Sequence, residues 1–142
     1  MKSLLGKLGI ILIGLAIFTY AEVWGEDWKY FNSNEDFLCY YDAQSITRPS
    51  QNIVSVRTRK NYTEKSVLDW VREFGKEYEN LSYGIDIVEI NCSEKTCRIQ
   101  SMTYYDSKGK VIESYSISNP SFGWDFIPPK SIIEVLYKAV CK

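Results

Sequence analysis

The ionisable side chains decide which chemistry this chain can perform, and histidine is absent from it. That absence excludes Ser–His and Cys–His nucleophile pairs, histidine metal ligands and an imidazole pH switch. General acid–base catalysis would then depend on carboxylates, which would have to converge in one pocket. The candidate acids are Asp42, Glu89, Asp106 and Asp125. Their spacing does not predict such a pocket. We therefore predict a protein that is not an enzyme and uses no cofactor, with a small periplasmic carboxylate-dependent hydrolase as the alternative.

The four cysteines are Cys39, Cys92, Cys97 and Cys141. An even number of cysteines predicts two disulfides if the chain is exported, and three connectivities are open. Cys92 and Cys97 flank a short polar stretch typical of a hairpin loop, so they could face each other; the alternatives join them to the two distant cysteines. Cys-x₄-Cys with two distant single cysteines is poor zinc-site spacing. We predict no metal site.

A run of basic residues and several aromatic residues are the candidate binding groups. Arg57, Arg59 and Lys60 could meet an acidic partner, although charges on an open strand also keep that strand soluble. Trp28 and Trp124 join them in the predicted binding surface, because aromatic residues are enriched at interface hot spots. Tyrosine is also common in ordinary strands. The other aromatic residues considered with them are Trp24, Tyr40, Tyr41, Tyr104 and Tyr105.

Length and charge restrict the class of protein. The chain has 142 residues, 45% of them hydrophobic and 15% aromatic, which is typical of one globular domain. The formal net charge is −1. Binding to nucleic acid is not predicted, because affinity for phosphate requires an excess of lysine and arginine.

The first residues have the pattern of a secretory signal peptide. Lys2 and Lys7 precede an apolar run over residues 8–18, and small residues follow at Thr19 and Ala21. The apolar run is shorter than the ~20 residues that a membrane-spanning helix needs. We therefore predict a signal peptide over residues 1–21, cleavage after Ala21 and a mature domain over residues 22–142. An uncleaved N-terminal anchor is the alternative, and it would be the only contact with a membrane.

The remaining pattern predicts a single α+β domain. Residues 53–60 alternate, with Val54, Val56 and Thr58 on one face and Ser55, Arg57 and Arg59 on the other. Similar strands are expected at residues 37–42, 85–92, 97–105 and 110–118. Short turns between the later strands imply antiparallel pairing, and helices outside them imply one covered sheet face.

Two helices are expected to cover that face. Thr63 is a predicted N-cap for a helix that carries an apolar stripe and contains Gly75. Pro128 and Pro129 precede a short final helix, because proline is tolerated at a first helical position. The apolar stripe of the final helix is Ile132, Ile133, Leu136 and Val140.

Several segments together resemble the bacterial surface-adhesin protein E family. They are WKYF at 28–31, YYDAQSI at 40–46, IVSVR at 53–57, EINC at 89–92, YYDSKGK at 104–110, and the ending with Trp124, Ile127-Pro128, Ser131 and Val140-Cys141. The order and spacing of these segments span nearly the whole predicted mature chain.

The resemblance implies an antiparallel sheet of about six strands with flanking helices. It also implies a Cys92–Cys141 disulfide, which leaves Cys39 and Cys97 as a second pair. The implied protein is exported, whether periplasmic, secreted or on the cell surface, and binds host matrix or plasma proteins such as vitronectin, laminin and plasminogen. A role as structural partner of another envelope protein and a homodimer both stay open. The lipid-acceptor cysteine of the family's named lipoprotein is missing near the predicted cleavage point.

Overall fold

The computed structural model describes residues 26–117 and 123–142. The predicted signal peptide, its cleavage point after Ala21 and Trp24 lie outside the described residues. The strands are β1 (Trp28–Ser33), β2 (Phe37–Asp42), β3 (Thr47–Ser50), β4 (Ile53–Tyr62), β5 (Leu81–Asn91), β6 (Thr96–Asp106), β7 (Val111–Ser116) and β8 (Asp125–Phe126). The helices are α1 (Glu64–Phe74) and α2 (Ile132–Val140), and short 3₁₀ turns occupy Ala43–Ser45 and Lys76–Tyr78.

The strands form one antiparallel sheet in the order β1-β2-β4-β5-β6-β7, and the predicted α+β class is confirmed. Two short strands lie outside this order: β3 pairs with β4, and β8 pairs with β6. The sequence pattern did not predict either short strand. The β3 strand ends at Ser50, and the turn to β4 follows at residues 51–52.

Both helices begin at the capping residues that local chemistry favours. The Thr63 hydroxyl accepts a hydrogen bond from the Ser66 amide, and the Ser131 hydroxyl accepts one from the Glu134 amide. The prediction that Gly75 lies inside a helix is wrong, because α1 ends at Phe74 and Gly75 adopts φ +116° just beyond it. The final helix also begins later than the two prolines, at Ile132. No helix among the described residues is long and apolar enough to cross a membrane.

The core lies between α2 and one face of the sheet. Alternate residues of β4 and β5 supply the sheet side, and Leu136 and Val140 of α2 supply the other side. The buried members are Val54, Val56, Val88, Ile90, Ile127, Leu136 and Val140. Trp70 of α1 packs on Tyr62 and Tyr104, which belong to the same face farther along the strands. Both helices of the described chain therefore cover one face, which we call the covered face; the opposite side is the open face.

One disulfide ties α2 to the sheet. Cys92, just after β5, is bonded to Cys141, just after α2, across a sequence separation of 49 residues. This pair is the one that the family resemblance implied. The second predicted pair is wrong, because Cys39 and Cys97 are free thiols. They lie on β2 and β6, which β4 and β5 separate. Three strand spacings amount to roughly 14 Å, whereas bridged cysteines have Cα atoms at most ~7 Å apart.

Candidate functional site

The alternation of β4 sorts the predicted basic residues between the two faces. Arg57 and Arg59 lie on the open face, opposite Ile87 and Ile85 of β5. Lys60 lies on the covered face, where its Nζ is 3.7 Å from a carboxylate oxygen of Asp86. The structure therefore does not bring Lys60 together with the two arginines. The alternation itself contains that signal, since Lys60 has the same parity as Val54, Val56 and Thr58.

Arg59 is the centre of a row of aromatic side chains on the open face. Its guanidinium carbon lies 3.9 Å from the centre of the Tyr83 ring, and Nε donates a 2.8 Å hydrogen bond to Asn61. The Tyr83 ring stacks on Tyr105, with 4.8 Å between the ring centres. Arg59 faces Tyr40 across the β2–β4 pair, and Tyr40 in turn meets Tyr30 edge-on at 5.8 Å.

These five residues, Tyr30, Tyr40, Arg59, Tyr83 and Tyr105, form what we call the Tyr–Arg strip. The strip crosses the five consecutive strands β1, β2, β4, β5 and β6. At ~4.8 Å per strand it is about 19 Å long. Tyr30 is 57% exposed, and the other four are half-buried in the described structure.

Arg57 is paired with acidic neighbours and is therefore less available than Arg59 for contact with a partner. Its guanidinium donates a 2.8 Å hydrogen bond to Glu26, lies 3.5 Å from Asp42, and sits 5.4 Å from the centre of the Trp28 ring. The hydrogen bond from Arg57, followed by that from Trp28, lowers the pKa of Glu26. Arg59, by contrast, has no carboxylate within ion-pair distance in the described part of the chain.

Trp124 belongs to a separate cluster at the β8 end of the sheet. The Arg98 guanidinium lies 4.4 Å from the centre of the Trp124 ring and 3.1 Å from a carboxylate oxygen of Glu89. Glu89 is buried and also accepts a hydrogen bond from Gln100. Glu89 is four positions along β5 from Ile85, the partner of Arg59. Trp124 therefore does not extend the Tyr–Arg strip.

The candidate acids of the alternative hydrolase take part in separate local networks. Asp42 accepts hydrogen bonds from the amides of Asp27 and Gln44 and faces Arg57. Glu89 belongs to the Arg98 cluster, and Asp106 accepts two amide hydrogen bonds inside the β6–β7 turn. Asp125 is exposed in β8, at the end of the sheet. The described residues do not join these acids in one pocket.

Sequence reasoning identified some of the strip and missed the rest. Arg59, Tyr40 and Tyr105 were among the candidates, and the structure places all three on the open face. Tyr30 and Tyr83 were missed. The signal for Tyr83 lies in the longer strand, because β5 begins at Leu81 and not at Ile85, so that Tyr83 alternates with Ile85 and Ile87.

Comparison with known proteins agrees with this fold. The model of the family described as surface-adhesin protein E matches residues 28–142. A crystal structure of protein E from non-typeable Haemophilus influenzae aligns with 79% of this chain and 74% of that chain, with a TM-score of 0.50 and 15% identity. A second crystal form of Haemophilus influenzae protein E covers 82% and 95%, with a TM-score of 0.49 and 15% identity.

None of the curated proteins compared with the chain matched it. At 15% identity, the solved structure with a TM-score of 0.50 supports the sheet and helix arrangement alone. The family model covers most of the chain, and the assignment to the family depends on this match. The chain therefore belongs to the surface-adhesin protein E family.

Proposed function

We propose that this protein is an exported surface protein that binds a protein partner through the Tyr–Arg strip of the open face. Family membership supports an adhesin-like role at the cell surface. The single observation that carries the choice of surface is the row of tyrosines around Arg59, on the face that neither helix covers. The proposal involves no catalytic step and no cofactor.

The composition of the strip is that of an interface core. Tyrosine and arginine are enriched where protein partners meet, whereas lysine and glutamate are depleted there. Tyrosine also provides a large contact area at low cost in conformational entropy, because it has only two side-chain torsions. The Tyr83 ring is already fixed between Arg59 and Tyr105, so little further ordering is needed when a partner binds.

The charge of the strip indicates the chemistry of the partner. The Arg59 guanidinium carries a positive charge and, in the described chain, its neighbours within hydrogen-bond and ring contact are neutral. A carboxylate of the partner would supply the missing charge and could bond to the guanidinium with two parallel hydrogen bonds. We therefore expect the contacted surface to be acidic and to present at least one aromatic or aliphatic group to the tyrosines.

The partner class follows from the family resemblance. Host matrix and plasma proteins are proposed first, and another envelope protein of the same cell second. The direct test measures binding of the purified protein to immobilised vitronectin, laminin and plasminogen by surface plasmon resonance at several salt concentrations. Binding to at least one of them is expected to weaken as salt rises, because an exposed ion pair is screened.

The variant pair Arg59→Glu and Arg72→Glu tests the surface. Both substitutions make the same change in net charge, and Arg72 lies on the exposed side of α1, on the covered face of the sheet. Arg59→Glu should weaken binding by about tenfold or more, the usual effect at a hot spot. Arg72→Glu should leave affinity within about twofold, as expected for a residue outside the interface.

Tyr105→Ala removes aromatic area from the strip without a change in charge, and it should weaken binding in the same direction. The proposed surface is wrong if Arg59→Glu and Arg72→Glu have equal effects, or if Tyr105→Ala has none. If all host proteins fail to bind while the strip variants release an envelope protein from the purified complex, the second partner class replaces the first. If the strip variants instead convert a dimer to a monomer in sedimentation, the partner is a second copy of the chain.

A further inference from the structure

A cleft on the covered face is separate from the surface proposed for adhesion. It lies over the centre of the sheet, beside the N-terminal half of α2, and has a volume of about 250 Å³. Most of its walls are apolar. Its apolar and thiol-bearing lining includes Phe37, Cys39, Val88, Cys97, Ile99 and Ile133.

Polar side chains converge on one part of this apolar wall. Asp86 and Thr58 face each other across the β4–β5 pair, and both line the cleft although they are only 5% and 6% exposed. The Asp86 carboxylate forms an ion pair with Lys60, and the Thr58 hydroxyl opens into the cleft without a hydrogen-bond partner among the described residues. Lys60 is the charged neighbour, but its Nζ lies 3.7 Å from the carboxylate, beyond hydrogen-bonding distance.

Buried polar side chains usually have hydrogen-bond partners, so a hydroxyl and a carboxylate that open into an apolar cleft can form hydrogen bonds with a molecule bound there. Burial raises the pKa of Asp86, and the charge of Lys60 opposes that change. Apolar walls combined with a few convergent polar groups are the usual composition of a small-molecule site.

Charge complementarity defines the head group that fits. An ammonium group beside Asp86 would lie next to the positive charge of Lys60, and a carboxylate beside Lys60 would lie next to Asp86. Like charges placed together are strongly unfavourable. A neutral group that both donates and accepts can bond to Asp86 and to Lys60 at once. Amides and alcohols have that property.

We propose that this cleft binds a small apolar molecule that ends in a neutral amide or hydroxyl group. A volume near 250 Å³ holds on the order of ten non-hydrogen atoms, given ~30 Å³ for one water in the liquid. The cleft lies on the covered face, opposite the side chains of the Tyr–Arg strip, and Arg59 is the residue that belongs to the strip and also borders the cleft. The two proposals can therefore fail independently.

The test compares three probes of equal chain length: octanamide, octylammonium and octanoate. Each is titrated into the purified protein, and amide shifts are followed by ¹H–¹⁵N NMR. Octanamide should shift the amides of Thr58, Asp86 and Val88, and it should bind at least about tenfold more tightly than either ion. An octane-saturated buffer separates the contribution of the apolar tail from that of the head group.

Two variants connect binding to the cleft. Asp86→Asn keeps the shape of the side chain and removes its charge, so Lys60 should then favour octanoate over octanamide. Val88→Phe should fill the cleft and abolish binding of all three probes. Ile85→Thr, on the open face of the same strand, is the matched control and should change nothing.

The ¹H–¹⁵N spectrum of each variant shows whether that variant is still folded. The order of the three affinities is measured in the unmodified protein and does not depend on any variant. Equal affinity for all three probes would overturn the proposal. So would the absence of binding, shifts confined to other parts of the sheet, or an unchanged order of affinities in a folded Asp86→Asn protein. Contacts in the ligand-free protein between these amides and residues 1–25 would also contradict it, since the chain itself would then fill the cleft.

Discussion

Lys95 and Glu134 join the turn between β5 and β6 to the first turn of α2. The Lys95 ammonium donates a 2.7 Å hydrogen bond to the Glu134 carboxylate, which also accepts the backbone amide of Lys130. A second lysine, Lys138, lies 3.6 Å from the same carboxylate, one turn farther along α2. The contact holds the beginning of the helix against the sheet, while the disulfide holds its end.

This arrangement predicts how stability changes with acid. The hydrogen bond from Lys95, followed by that from the Lys130 amide, lowers the pKa of Glu134 from 4.5 to about 2. A carboxyl group whose pKa is lower in the folded state stabilises the fold above its unfolded pKa, and this contribution is lost as the pH falls. The loss should occur between pH 4.5 and about pH 2.

Thermal unfolding of the wild type and of Glu134→Gln at about pH 6 and about pH 3 checks the prediction. The variant should be less stable at the higher pH, and the difference should shrink at the lower pH. Glu79→Gln, at an exposed position after the second 3₁₀ turn, serves as the control. A constant difference between wild type and Glu134→Gln at both pH values would show that the carboxylate does not act through its charge.

The disulfide should contribute more to stability than any single surface contact. It closes a loop with a sequence separation of 49 residues, for which the chain-entropy model gives about 4 kcal/mol. The double variant Cys92→Ser/Cys141→Ser should therefore lose about that free energy of unfolding in urea titration. Addition of dithiothreitol should produce a similar loss in the wild type and no loss in the double variant. Equal unfolding free energies of wild type and double variant would contradict this account.

The two free thiols should differ in reactivity. Cys39 is 1% exposed, and burial raises its pKa to about 11. Burial also raises the pKa of Cys97, which is only partly buried. Since the thiolate is the reactive form, iodoacetamide should label Cys97 faster than Cys39 in the native protein.

Peptide mass spectrometry of the alkylated, unreduced protein measures this order. The Cys92–Cys141 peptide pair should stay linked and serves as the internal reference. Rapid labelling of Cys39 in the native state, or a linked Cys39–Cys97 peptide pair, would contradict the arrangement of the strands.

A side chain at Gly75 should destabilise the fold. Its φ of +116° is one that other residues rarely adopt, and a Cβ there would lie 2.6 Å from a carboxylate oxygen of Glu77. The Glu77 carboxylate is at the end of a flexible side chain and can move, so the backbone conformation sets the cost. Gly75→Ala should lower the free energy of unfolding by about 1–3 kcal/mol. Gly123→Ala, where a Cβ would meet nothing within 4 Å, is the control.

Urea titration of both glycine variants gives the comparison. If Gly75→Ala and Gly123→Ala are equally stable, the end of α1 does not depend on the left-handed conformation of its cap. A lower stability of Gly75→Ala that is relieved by Glu77→Ala would instead assign the cost to the side-chain contact.

Local patterns were sufficient to predict the faces of the strands and the beginnings of the helices. The alternation of Val54 and Val56 with Arg57 and Arg59 depends only on the pleat of a strand, and the cap at Thr63 depends only on a hydroxyl and nearby amides. The end of α1 was predicted incorrectly because a glycine is compatible with both a helix interior and its C-terminal cap.

Cross-strand geometry could not be predicted in the same way. The contact between Arg59 and Tyr83 depends on the register of β4 against β5, which is set by distant turns and by the packing of the core. Asp86 had no distinguishing sequence pattern, because its position in a cleft depends on where α2 packs over the sheet. The free state of Cys39 and Cys97 likewise depends on strand order and not on spacing.

The strict division of each strand between two faces has an evolutionary consequence. Core residues and residues of the open face alternate along the same strand, for example Val56 and Arg57. Mutations can therefore accumulate at every second position while the intervening positions stay constant. Descendants of one ancestral sheet can acquire new recognition properties in this way and still inherit an unchanged architecture.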